Sequence, residues 1–267
     1  MRRLVRAFLQ YMKNGRAMVA KRFPLRDPRT VAREIPGVLD ILFPRLTGGL
    51  VASLNRATFS CSGVDPIDEN LIEKSRLNKA LLFEISVVFV EIRCSERRDS
   101  DWSECLTIAA KRQSQHYDAV IPDTLESHDI EIISRAADNL QRMIAVLQEN
   151  KPSSALEIRP VVPGLGWIAS GTGDFSIGET LIEVKNADRN FVAGDIRQTF
   201  MYWILKYALS LKSDSEAWKD CILINPRRNI YLNFDFDTLS RAASANLGRV
   251  ELYELLRHLL GQELDIG

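Results

Sequence analysis

The sequence predicts an α/β protein in which helices flank a mixed β-sheet. Residues 127–148 carry apolar side chains at intervals of three and four, which is the spacing of a helix with one apolar face. Three short segments rich in β-forming residues follow, and a second helical segment and a further strand come after them. This order of helix, three strands, helix and strand is typical of a sheet covered by helices.

The N-terminal region is expected to be mainly helical. Prolines and glycines interrupt residues 1–60, so this stretch predicts only short helices. Residues 68–93 begin with good helix formers and end in β-branched residues. Their length favours a helix, with a strand in the second half as the alternative. Residues 102–117 predict another helix.

A breaker at residues 120–123 divides the chain into two expected domains. A mainly helical, basic domain over residues 1–121 precedes an α/β domain over residues 122–267. A length of 267 residues, of which 46% are hydrophobic, suits two domains of ordinary size and excludes disorder and a fibrous rod.

Local patterns define the remaining elements of the second domain. A tight turn at residues 176–179 joins the second and third strands of the expected sheet. The expected strands span residues 156–162, 171–177, 180–185, 221–225 and 230–234, and the later helices span residues 195–211 and 250–260.

Neutral net charge conceals an asymmetry along the chain. Residues 1–50 contain eleven basic and three acidic side chains, a surplus of eight positive charges that the remainder balances. Such a segment suits the binding of a polyanion at one end of the protein. The alternative is a set of amphipathic helices whose charged faces are only solvated.

The chain is expected to be a soluble cytoplasmic protein. Its cysteines are too few and too irregularly spaced for a disulfide scaffold, and no CxxC pair suggests a zinc or redox site. Charged residues interrupt the N-terminal apolar run, so no export signal is expected. The most apolar window, residues 80–92, contains Glu84 and is too short to span a membrane.

Three residues of the expected hairpin carry the chemistry. Glu183 and Lys185 are two apart on a strand, so both project to one side while Val184 faces the core. A tight hairpin would bring the carboxylate of Asp174 beside that of Glu183. Two carboxylates next to an ammonium group predict a site for a hard divalent cation, Mg²⁺ or Mn²⁺.

A cation at this site would relieve the repulsion between the carboxylates, polarise a phosphorus–oxygen bond and lower the pKa of bound water. Lys185 would orient or help to deprotonate that water and would stabilise charge on the phosphate. Hydrolysis of a phosphodiester is the expected reaction.

Asp174 and the run Glu183–Lys185 resemble the motif of the PD-(D/E)XK nuclease superfamily of restriction-endonuclease-like folds. Gly173 stands where that motif often has proline. Members share an α-β-β-β-α-β core, the order expected here. The resemblance implies that Asp174, Glu183 and the carbonyl of Val184 bind the metal and that Lys185 is catalytic.

The helix that follows is similar to the QxxxY motif of the RecB-like branch, because it carries Gln198 and Tyr202. Residues at i and i+4 lie on one helical face, where these two side chains would contact the site and the nucleic-acid backbone. The resemblance covers roughly residues 125–235, and it adds Gln198 and Tyr202 to the candidate catalytic residues.

Each feature also has a structural interpretation. Glu183 and Lys185 together fit a solvated strand face, and Asp174 after a glycine fits turn chemistry. Gln198 fits a capping box in which Asp195 is the N-cap, and Tyr202 fits an apolar helix core. The joint occurrence of all four features in order, within 29 residues, favours the nuclease interpretation.

The expected function is that of a Mg²⁺-dependent DNA nuclease, and analogy alone suggests an endonuclease effector of a bacterial defence or restriction system. The alternatives are an RNA-cleaving hydrolase and a catalytically silent DNA-binding scaffold subunit. The sequence contains no P-loop, so an ATP-driven step would need an ATPase or sensor partner. Arg227 and Arg228 are candidate phosphate contacts, whereas Glu126 and Glu131 are candidate metal ligands that fit exposed helical carboxylates better.

Overall fold

The computed structural model describes residues 24–35, 37–96, 101–114 and 124–261. Within these ranges the protein is a mixed α/β structure with ten helices and seven strands. The helices are α1 (Pro28–Arg33), α2 (Val38–Leu42), α3 (Gly48–Arg56), α4 (Glu69–Ile72), α5 (Lys79–Glu96), α6 (Trp102–Ser114), α7 (Ser127–Glu149), α8 (Ala193–Ser210), α9 (Phe236–Ala243) and α10 (Arg249–Leu259). The strands are β1 (Leu156–Ile158), β2 (Val161–Val162), β3 (Gly171–Thr172), β4 (Phe175–Ile177), β5 (Thr180–Val184), β6 (Asp220–Asn225) and β7 (Ile230–Asp235).

Five strands form one sheet in the order β1-β4-β5-β6-β7. Neighbouring strands are antiparallel except β5 and β6, which run parallel. A parallel pair cannot be joined by a short turn, and α8 supplies the crossover between these two strands. β2 and β3 pair separately as a small antiparallel ribbon.

The β4–β5 hairpin determines where the candidate site residues lie. Its turn consists of Gly178 and Glu179, and Gly178 has a φ of +55°, a conformation in which glycine avoids a side-chain clash. The register pairs Ile177 with Thr180 and Phe175 with Ile182. The next position along this ladder places Asp174 opposite Glu183.

Helices cover both faces of the sheet. On one face α8 packs with α1 and α2 in a hydrophobic cluster that includes Leu181 of β5 and Phe200 of α8. On the other face α5, α6 and α7 pack against Ile182 of β5 in a second cluster. Segments before and after residue 121 therefore share both clusters.

Most predicted elements are present. The helix predicted over residues 127–148 is α7, and residues 68–93 contain two helices, α4 and α5, rather than a strand. The first predicted strand is divided into β1 and β2 because Arg159 has a φ of +53° and Pro160 follows it. The second is likewise divided into β3 and β4.

Helix α9 was not expected from the sequence. Asp235 ends β7 and also caps α9, since its carboxylate accepts a hydrogen bond from the backbone N–H of Thr238 at 2.7 Å. The helix begins directly after the strand, so no glycine or proline separates the strand from the helix in the sequence. For that reason the sequence did not indicate where the helix begins.

Three expectations fall on residues outside the described ranges. The basic residues up to position 22, the last part of the helix predicted over residues 102–117, and the domain boundary between residues 121 and 122 all lie there. Within the described ranges, the helices are all too short or too polar to cross a lipid bilayer.

We expect the interior of α8 to dominate the stability of the first cluster. Trp203 is 1% exposed, and its ring stacks on Phe236 with a centroid distance of 5.4 Å. Trp203→Ala should reduce the free energy of unfolding in urea by about 3–5 kcal/mol, because truncation of a buried aromatic leaves a cavity. Leu209→Ala on the same helix, where the side chain is 36% exposed, should cost less than about 1 kcal/mol. Equal losses in the two variants would contradict this account of the core.

Candidate active site

Two strands and one helix bring the candidate residues together on the α8 side of the sheet. Glu183 lies on β5 and is aligned with Leu223 of the parallel neighbour β6. Lys185 directly follows β5, and its backbone N–H donates to the carbonyl of Ile224 at 2.8 Å. Because side chains alternate along a strand, Glu183 and Lys185 project to the same side.

Four side chains form a buried hydrogen-bonded cluster. The Lys185 ammonium donates to Oε1 of Glu183 at 2.9 Å and to Oε1 of Gln198 at 3.0 Å. The amide of Gln198 donates to Oε1 of Glu183 and to the hydroxyl of Tyr202, the latter at 3.1 Å. Each of the four residues is less than 9% exposed. Glu183 and Lys185 are therefore not a solvated strand face, and Gln198 links the strand to α8.

Asp174 lies beside this cluster, in the segment between β3 and β4. Its Oδ2 accepts a hydrogen bond from the backbone N–H of Val184 at 2.7 Å, across the hairpin. Its carbonyl accepts from the backbone N–H of Arg159 at 2.9 Å. The carboxylate is held toward β5 rather than within its own turn.

The structure gives a local reason for glycine rather than proline at position 173. The backbone N–H of Gly173 donates to the carbonyl of Pro160 at 2.9 Å, a bond that a proline cannot make. A Cβ at this position would lie 3.0 Å from Cδ1 of Leu181. The hydrogen bond therefore disfavours proline at this position, and the tight packing favours glycine over larger residues.

Burial raises the pKa of both the Glu183 carboxyl and the Tyr202 hydroxyl. Burial raises the pKa of Glu183, the neighbouring charge of Asp174 raises it further, and the Lys185 ammonium opposes both, which leaves a pKa of about 7. Burial and then the charges of Glu183 and Asp174 raise the pKa of Tyr202 well above its ordinary value. The Tyr202 hydroxyl thus stays protonated at neutral pH.

The site meets several requirements of a divalent cation. Among the described residues, Oε2 of Glu183 is buried and has no hydrogen-bond partner, whereas Oε1 is fully engaged. An unpaired buried carboxylate oxygen beside a second carboxylate is an arrangement that a cation stabilises. The described ranges contain no group of three acidic, histidine or cysteine ligands. Mg²⁺ accepts one or two carboxylates and keeps several waters, so Asp174 and Glu183 fit it.

A second charged group, the buried ion pair of Glu91 and Arg112, lies close enough to Asp174 to interact with it electrostatically. The sequence patterns did not predict this pair. Glu91 on α5 is 5% exposed, and Arg112 on α6 pairs with it at 2.5 Å and with Glu84 at 3.0 Å. Burial raises the pKa of Glu91, Arg112 opposes this, and Asp174 adds to the rise. Two acidic residues, Glu84 and Glu91, within an apolar helix could have predicted it. Acidic side chains are rarely buried unless they are paired, so a basic partner was to be expected.

The other candidate residues have different surroundings. Arg227 is 5% exposed and forms ion pairs with Glu69 and Asp188, which argues against its expected role as a phosphate contact. Arg228 donates to Asn190 at 3.0 Å. The two acids of α7 are exposed, with Glu126 at the N-cap and Glu131 paired to Arg135.

The capping alternative for Gln198 is also wrong. The N-cap of α8 is Val192, and Asp195 stands three residues later, where its carboxylate accepts from the Val192 N–H at 3.0 Å. Asp195 is fully buried and forms an ion pair with Arg189 at 2.6 Å. Gln198 is therefore free of any capping role and its amide serves the buried cluster.

No family model matches this chain, and neither the curated proteins nor the solved structures contain a match to it. The residues and geometry of the site are therefore the basis for a functional assignment.

We expect Glu183 to make stability depend on pH. Its pKa is near 7 in the folded protein and about 4.5 in the unfolded chain, so folding retains a proton that the unfolded chain releases. In EDTA, the free energy of unfolding should fall as pH rises from about 4.5 to about 7. Glu183→Gln should remove part of that fall in urea titrations at a series of pH values. A variant whose profile runs parallel to the wild-type profile would exclude the raised pKa.

We expect that proline at position 173 destabilises the protein. Gly173→Pro removes the hydrogen bond to the Pro160 carbonyl and leaves that group unpaired, which should cost about 1–3 kcal/mol beyond the effect of Gly173→Ala. Gly173→Ala keeps the N–H and serves as the steric control. Urea unfolding of the two variants measures the difference, and equal stabilities would show that the hydrogen bond contributes nothing.

Proposed function

We propose that the protein is a metal-dependent nuclease that hydrolyses phosphodiester bonds in DNA. The observation that carries this proposal is the buried Glu183 carboxylate, which faces Asp174. One of its oxygens has no hydrogen-bond partner among the described residues, and the other is bonded to Lys185 and Gln198. Paired carboxylates with an adjacent ammonium suit phosphoryl chemistry better than a purely structural role, because a structural ion pair would satisfy both oxygens.

The order of elements supports a restriction-endonuclease-like core for this site. Helix α7 is followed by three antiparallel strands of the main sheet, β1, β4 and β5, and then by α8 and β6. β5 and β6 are parallel and adjacent. This order supports the α-β-β-β-α-β arrangement implied by the sequence motif, although β2 and β3 intervene between β1 and β4, and it puts Asp174 and Glu183 beside β4 and on β5.

In the proposed reaction Asp174, Glu183 and the carbonyl of Val184 would hold Mg²⁺ or Mn²⁺, which would supply Lewis-acid polarisation of the phosphate and lower the pKa of water at the site. Lys185 presents a fixed ammonium beside the carboxylates and stabilises negative charge on the phosphate oxygens. Gln198 fixes the positions of both Lys185 and Glu183, and Tyr202 anchors the Gln198 amide.

DNA is the proposed substrate because the basic N-terminal segment suits a long polyanion. Contacts from lysine and arginine to phosphates position a duplex without reading its sequence. We therefore propose cleavage with weak sequence preference and strong dependence on salt.

Cleavage assays with Lys185→Ala test the proposal. Supercoiled plasmid, linear duplex, single-stranded DNA and RNA are incubated with the protein in EDTA, Mg²⁺ or Mn²⁺. We expect cleavage of DNA that needs the metal and falls at least about 100-fold in Lys185→Ala, since the variant loses a charge at the phosphate. Lys219→Ala is the matched control, because Lys219 is exposed and paired with Glu179 at the opposite end of β5.

Other outcomes assign other functions. Cleavage of RNA alone would identify an RNA-cleaving hydrolase with the same site. Equal cleavage by Lys185→Ala and the wild type would show that the site is misassigned. Binding of DNA without cleavage in any metal would favour a catalytically silent scaffold subunit.

A further inference from the structure

Several cations surround the proposed active site, and most of them are neutralised by a partner. Lys185 is bonded to Glu183, Arg112 is paired with Glu84 and Glu91, and Arg189 is paired with Asp195. Arg159 lies 3.7 Å from Glu91. Each of these charges already has an acidic neighbour that would compete with a phosphate group.

Arg29 on α1 differs from this group. Its guanidinium forms no hydrogen bond and no ion pair with any residue in the described part of the chain, although its backbone N–H donates to the carboxylate of Asp27, the N-cap of α1. The residue remains exposed to solvent. Arg29 is thus a cation near the site that is available to an incoming anion.

The position of Arg29 is determined by the backbone around it. The N–H of Arg26 donates to the carbonyl of Trp167 at 3.1 Å, and the carbonyl of Arg26 accepts from the N–H of Ala169 at 2.8 Å. Pro28 packs so closely on Gly171 that a Cβ there would meet the proline ring at 2.9 Å. The start of α1 is therefore attached to the segment that leads into Asp174.

The other end of α1 lies against α8. Arg33, one helical turn after Arg29, is 3.7 Å from Asp195. Arg29 and Arg33 share a helix face at i and i+4, as do Gln198 and Tyr202. Partial desolvation of the guanidinium lowers the pKa of Arg29, but Glu183, Tyr202 and Asp174 raise it by more, in keeping with the position of α1 beside the site.

We propose that Arg29 is a phosphate-binding residue of this active site, which contacts the backbone of the nucleic acid at or next to the phosphate that is cleaved. This inference rests on the proposed function. A guanidinium presents a planar fork of donors that matches two phosphate oxygens, and its charge offsets the repulsion between the phosphate and the two carboxylates. Arg29 thereby connects the basic N-terminal segment, to which it belongs, with the proposed catalytic residues.

DNA binding tests the proposal independently of cleavage. A fluorescein-labelled 20-base-pair duplex is titrated in Mg²⁺ at several salt concentrations, with every protein carrying Lys185→Ala so that the duplex stays intact. Added to this background, Arg29→Ala should weaken binding about tenfold and reduce the slope of log K against log salt by about 0.9, the value for one lost phosphate contact. Arg29→Lys should restore the slope because it keeps the charge.

Arg26→Ala is the matched control, because Arg26 is exposed, belongs to the same segment and carries the same charge three residues earlier. A smaller effect of Arg26→Ala than of Arg29→Ala supports the proposal. Equal effects of the two variants would overturn it, since they would indicate only the general charge of the segment. Unchanged binding in Arg29→Ala, or no duplex binding by the parent protein, would overturn it as well.

Cleavage rates in the otherwise wild-type protein separate this inference from the proposed function. Arg29→Ala should reduce the maximal cleavage rate about 100-fold, with Arg29→Lys intermediate and Lys219→Ala, which lies outside the basic segment, within about threefold of the wild type. A rate unaffected by Arg29→Ala would overturn the contact at the cleaved phosphate. If the wild type cleaves nothing, the proposed function fails, and the binding experiment alone decides whether Arg29 contacts phosphate.

Discussion

Burying the Glu183 carboxylate costs free energy, and the neighbouring side chains only partly offset that cost. Lys185 and Gln198 bond to one of its oxygens, while Asp174 opposite it adds repulsion and the second oxygen has no partner among the described residues. Natural interiors rarely tolerate such a group without a use for it. The arrangement of the β4–β5 hairpin, α8 and their hydrogen bonds is best understood as the support that holds this carboxylate in place.

The support extends beyond the hairpin into the N-terminal part of the chain. Short helix α1 brings Arg29 toward the carboxylates, and α5 and α6 bring the Glu91 and Arg112 pair close enough to Asp174 to affect its surroundings. Both hydrophobic clusters also combine residues from the two halves of the sequence. The carboxylate cluster is therefore embedded in a core to which both parts of the sequence contribute.

Much of this arrangement could be predicted from local sequence patterns. The apolar stripe of α7 and the alternation along β5 each depend on a few neighbouring residues, and so does the proximity of Asp174 and Glu183 across a tight turn. The contributions of Arg29 and Glu91 could not be predicted, because tertiary packing across more than 80 residues brings them to Asp174. The division of the first strand at Arg159 was missed for a related reason, since the backbone of Asp174 accepts a hydrogen bond there.

Asn229, in the turn between β6 and β7, has a consequence for the order in which the protein matures. Its side chain exchanges hydrogen bonds with the backbone of Cys61, 168 residues earlier in the chain, and Phe59 pairs with Tyr231 beside it. Because a ribosome releases a chain from its N-terminal side, the segment around Cys61 waits for 168 further residues to be synthesised before it finds these partners. β6, which aligns Glu183 on the sheet, emerges after every residue of the carboxylate cluster. A nascent chain therefore completes the support of the cluster only after β6 has left the ribosome, which postpones any reaction at the site until then.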